Sequence, residues 1–82
     1  MKIPRKLTLR RRKLGKERAV GLAHPDGLIE IDPREKGHSL LDTTIHEALH
    51  VCLPDATEEE VVQMAGLLAD LLWKDAWRRV EG

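Results

Sequence analysis

The chain has 82 residues, 41% of them hydrophobic, with 14 basic and 14 acidic side chains. A chain this small buries only about 60% of the surface it exposes when unfolded, so its core is marginal and a staple is expected. Its single cysteine, Cys52, excludes an internal disulfide and with it the secreted disulfide scaffolds. Two tryptophans with no Phe or Tyr argue against a stacking platform for single-stranded nucleic acid.

The neutral total hides an asymmetry. Residues 1–20 hold nine Lys or Arg against one acid, Glu17, whereas the remaining residues hold five basic and thirteen acidic groups. Such a split suggests an arm for a polyanion or a segment that pairs with the acidic remainder. No apolar run approaches the roughly 18 residues of a membrane span and no signal-peptide core follows the basic start, so a cytoplasmic protein with a reduced cysteine is expected.

Residues 1–36 form a basic region that reads as strands. The alternation of Leu7-Thr8-Leu9-Arg10 suits an edge strand, with basic side chains discouraging edge-to-edge pairing. Residues 19–23 are short and apolar, His24-Pro25-Asp26-Gly27 is a turn signal, and Leu28-Ile29-Glu30-Ile31-Asp32 alternates up to Pro33. Residues 19–32 therefore predict a hairpin.

From Gly37 the period becomes helical. Ser39-Leu40-Leu41-Asp42 fits a capping box, and Leu41, Ile45, Ala48, Leu49 and Cys52 supply an apolar stripe that Pro54 ends. Thr57-Glu58-Glu59-Glu60 is a second capping box, opening a helix predicted to run to about Val80. Val61, Met64, Ala65, Leu68, Leu72 and Ala76 form its expected core face, and Gly66 and Ala69 are small enough for close backbone approach. The reading is a single α+β domain over residues 1–82: a small antiparallel or mixed three-stranded sheet, then two helices over residues 37–82.

The first helix contains His46-Glu47-Ala48-Leu49-His50. Histidines at i and i+4 share one helical face, so both imidazoles reach one tetrahedral ion, and Glu47 stands beside that face as a base for a metal-activated water. A catalytic zinc also needs a third protein ligand and one open position. The acids returning after Pro54 supply candidates: Glu58 starts the stripe that faces the first helix, and Glu59 is its close competitor. Asp42, one turn before His46, is placed to orient that imidazole from behind, or simply to cap the helix. Cys52 points away from the histidine face and reads as core. Oxyanion donors are sought at His24, His38 or an arginine, and a peptide substrate is expected to add as a strand beside Leu28–Asp32.

The stretch Leu41-Asp42-Thr43-Thr44-Ile45-His46-Glu47-Ala48-Leu49-His50 resembles the active-site helix of small zincin-like metallopeptidases, in particular SprT-like and ImmA/IrrE-like proteins and compact phage or prophage forms. The segment Leu53–Val61, with Leu71-Leu72-Trp73 later, is similar to the phage forms. The resemblance covers about residues 28–74. It implies a minimal zincin-like fold, a Zn²⁺ cofactor and peptide-bond hydrolysis, with a strand before the helix and an acidic ligand from the next one. It also implies a peptide or protein substrate and a cytoplasmic setting, that of the host cell if the chain is phage-encoded. The alternative is a nucleic-acid or protein-interaction module with a structural or vestigial metal site, in which Arg10, Arg11, Arg12 and Lys13 would grip phosphates.

Overall fold

The computed structural model describes residues 4–17 and 19–79, the side chain of Glu17 excepted. Ile3, Arg18 and Val80, on which parts of the strand, basic-arm and helix-end expectations fall, lie outside the described residues. Three strands, β1 (Thr8–Arg11), β2 (Gly21–Ala23) and β3 (Leu28–Ile31), precede two helices, α1 (Gly37–Cys52) and α2 (Glu58–Lys74). A single 3₁₀ turn, Gly15–Glu17, lies between the first two strands.

The sheet is mixed, in the order β1-β3-β2. The hairpin appears where the turn signal predicts it. The Gly27 amide donates to the His24 carbonyl at 3.0 Å, and the Leu28 amide donates to Asp26 Oδ1 at 3.1 Å. Gly27 has φ +103°, a conformation that L side chains rarely adopt. β2 then pairs antiparallel with β3, and β1 lies parallel on the other side, Thr8 opposite Leu28 and Arg11 opposite Ile31. The strand Leu28–Asp32 is therefore central, with both edges taken. That overturns the expectation that a peptide substrate adds beside it.

α1 is the middle layer. Ile29 and Ile31 on one sheet face pack against Leu40 and Val51 of α1, with Ala23 and Ala48 around them. On its far side α1 receives α2 through Val61, Ala65 and Ala69, all fully buried. Small residues let the two helices come close. α2 touches α1 but no strand, and β1 touches β3 but neither helix. The stripe Leu41, Ile45, Ala48, Leu49, Cys52 is only half-buried, because the side facing the sheet is set by Leu40, Glu47 and Val51 instead.

The opposite sheet face has no helical layer and is closed by charge. Glu30 is 4% exposed and bonds Arg12 Nε at 2.7 Å and His24 Nε2 at 2.8 Å. These partners hold its carboxyl down at about 2, with the Arg12 hydrogen bond the largest cause. Asp32 accepts from Arg34 Nε and Nη2 and from the amides of Leu14 and Arg34, which hold its carboxyl well below the usual range.

Three helix expectations are corrected. α1 opens at Gly37 after Lys36, which offers no side-chain cap; Ser39 and Thr43 instead donate to Glu35 Oε1, both at 2.8 Å. The Ser39–Asp42 capping box does not form, because those residues already lie inside the helix. α2 stops at Lys74 rather than near Val80. Ala76, at φ 66°, is left-handed, its amide donates to the Trp73 carbonyl, and that of Trp77 donates to Leu72. This is a Schellman end with alanine where glycine is usual. Ala76 is thus exposed rather than core, Leu68 is 41% exposed, and a Cβ on Gly66 would meet open space. The Thr57–Glu60 capping box is present in both directions.

Candidate metal centre

α1 and α2 run antiparallel, so the last turns of α1 meet the first turn of α2. Helical spacing puts His46 and His50 on one face of α1. The turn after Leu53, closed by the Ala56 amide on the Leu53 carbonyl at 3.0 Å, and the Thr57 cap then aim Glu58 at that face. His46 Nε2 lies 3.0 Å from Glu58 Oε1, His50 Nε2 lies 2.8 Å from Glu58 Oε2, and the two Nε2 atoms are 3.1 Å apart. Donors on a tetrahedral zinc at about 2.0–2.1 Å stand about 3.3 Å from one another. The three groups fit such an ion after moving by a few tenths of an ångström. Both imidazoles are about three-quarters buried and Glu58 is exposed, which leaves one side of the cluster open to solvent.

Glu47 sits on the neighbouring face, 7% exposed, under β2. Burial pushes its carboxyl above the ordinary value, while the charges of His46 and His50 pull it part of the way back. The contact with β2 depends on Gly21. A Cβ there would lie 2.8 Å from Thr43 Cγ2 and 2.9 Å from Glu47 Cγ, closer than side-chain carbons approach.

The cleft around these groups has a volume of 620 Å³ and includes Val20, Gly21, Asp42, Thr43 and Val62. Val20 and Val62 are more than half exposed and form an apolar rim. Asp42 lines the cleft but makes no hydrogen bond to His46. Glu59 lies outside the His46–His50–Glu58 cluster, and Glu60 is occupied in the Thr57 cap. Cys52 is half-buried and outside the cluster. His24 and His38 do not line the cleft; His24 is held by Glu30 and His38 by Asp70 at 2.8 Å.

The basic run does not form one surface. Arg10 and Arg11 alternate to opposite faces of β1, Arg12 is paired with the buried Glu30, and Lys13 is exposed. What the sequence reading missed is Gly21. Its signal was present: glycine inside a strand marks a close backbone approach.

Among the described residues no helix is long and apolar enough to cross a membrane. No protein-family model matches the chain, and no curated protein or solved structure matches it significantly.

Proposed function

We propose that the chain is a zinc-dependent metallopeptidase of minimal zincin-like design. The observation that carries this reading is the convergence of His46, His50 and Glu58 donor atoms within 4.8 Å, beside a buried carboxylate that is not one of them. Two imidazoles and one carboxylate with an open side form the donor set of catalytic rather than structural zinc. Zinc held there would supply Lewis acidity to a water and to the scissile carbonyl.

The chain's own residues do the rest. Glu47, its carboxyl raised above the ordinary value by burial, takes the proton of the attacking water on a carboxylate oxygen and returns it to the leaving amine. Gly21 lets β2 press close enough to hold that carboxylate in place. β2 is an edge strand whose neighbouring residues Val20 and Gly21 line the cleft. An extended substrate adding along its outer edge would pass the metal ligands, with an apolar side chain against Val20 and Val62.

The test is purified protein with and without Glu47→Gln. Metal analysis should find about one zinc per chain in both, and hydrolysis of a fluorogenic casein should fall by at least about 100-fold in the variant. Absence of bound zinc, or hydrolysis that survives the substitution, would overturn the assignment.

A further inference from the structure

At the other end of the helix pair lies a second cleft, also of 620 Å³, bounded by β1, the start of α1 and the end of α2, where β1 and α2 face one another without packing together. Leu9, Leu40, Leu41, Trp73 and Trp77 give it an apolar lining. Leu9 is 46% and Trp77 61% exposed. Its other charged walls are all cationic: Arg11, Lys36, Arg78 and Arg79. Arg78 is built into the wall, its guanidinium 3.3 Å from the centre of the Trp73 ring and its Nη1 donating to the Trp73 carbonyl at 2.6 Å. Arg11, Lys36 and Arg79 make no ion pair among the described residues. Three cations with no carboxylate partner among the described residues, set around an apolar floor, suit a ligand with both characters.

We propose that this groove docks an extended acidic peptide bearing an apolar anchor residue. Among the described residues no strand pairs with the outer edge of β1, and Leu9 and Arg11 lie on its groove side. A peptide paired along that edge inserts its apolar side chain between the leucines and tryptophans while flanking carboxylates reach Arg11, Lys36 and Arg79. Other occupants fit less well. Nucleic acid would need a row of cations and an open aromatic face, but Arg10 and Arg11 diverge, Arg12 holds Glu30, and Arg78 covers Trp73. In a second copy of the chain, the acidic run Glu58–Glu60 is locked in the first turn of a helix and is not extended.

The two tryptophans of the chain both line this groove, so intrinsic fluorescence reports on it alone. The experiment titrates the full chain with the peptide Ac-Glu-Asp-Glu-Leu-Glu-Asp-Glu-NH2. A saturable change is expected, weakened at least about tenfold when the peptide leucine is replaced by alanine, and again by the pair of exposed substitutions Arg11→Glu and Arg79→Glu. Circular dichroism verifies that the pair leaves the fold intact, and added salt should weaken binding to the unsubstituted chain. Equal binding of a lysine analogue, displacement by oligothymidylate, or affinity indifferent to either charge reversal or anchor truncation would overturn the proposal. So would a fluorescence change that follows protein concentration without peptide, the mark of self-association.

Discussion

The two clefts are equal in volume and opposite in chemistry. One collects histidines and carboxylates where the end of α1 meets the start of α2; the other collects tryptophans, leucines and cations where the start of α1 meets the end of α2. Their linings on α1 are offset by about six residues, roughly 9 Å along the helix axis at 1.5 Å per residue. What differs is how each is walled. The metal cleft lies where α1 touches both β2 and α2, so its side chains are packed into position. The cationic groove lies where the two peripheral elements, β1 and α2, flank the start of α1 without touching each other. Close packing fixes the donor atoms of the proposed metal site, and the gap leaves the surface to which the proposed peptide would dock.

The sharpest way to break this comparison is to take the metal away. Zinc at about 100 times its dissociation constant adds about 2.7 kcal/mol, so a chelator should lower the melting temperature by about 10 °C or more in a domain of this size. A melting curve unchanged by chelator would remove zinc as the link between the helices. Next comes Gly21→Ala, which forces Glu47 or Thr43 to move. Hydrolysis should drop by about tenfold or more through kcat, because small displacements of a catalytic group are costly. Zinc affinity should hold, since Gly21 contacts none of the three ligands; a parallel loss of zinc would mean that β2 positions the histidines as well.

The smallest expected effect concerns neither cleft. The Glu30 carboxyl is held at about 2 instead of 4.5, so its stabilising contribution is complete above about pH 4.5 and disappears as pH falls toward 2. Asp32 acts in the same direction. Urea denaturation followed from neutral to acid pH should show stability declining through that window, and Glu30→Gln should flatten the decline. An unchanged slope in the variant would place the acid sensitivity elsewhere.

The site was more legible in the sequence than the surface around it. Histidines four apart on an amphipathic helix, and an acid at the next capping box, are local patterns with local causes. The hairpin was legible for the same reason, because Pro25, Asp26 and Gly27 act within four residues. The failures all involve partners that the local patterns do not name. Nothing near Leu28–Asp32 announces that β1 pairs with it in parallel, and that pairing decides which edge stays free. The end of α2 is equally hidden: Ala76 is an excellent helix former, yet the chain turns left-handed there while Arg78 folds back on Trp73. The Ser39 box failed because Glu35, four residues earlier, was already serving both hydroxyls.

The layering has a consequence for how the chain comes apart. β2, β3 and α1 are held to one another on several sides, whereas β1 and α2 are each attached through a single neighbour. β1 buries no side chain of its own, whereas α2 buries Val61, Ala65 and Ala69 against α1, so β1 is the expected first unit of partial opening in the native state. β1 forms one wall of the cationic groove, so a shift of this strand would change the groove's width at little cost to the core. The metal cleft has no wall on β1, and there an ion held by His46, His50 and Glu58 would tie α2 to α1.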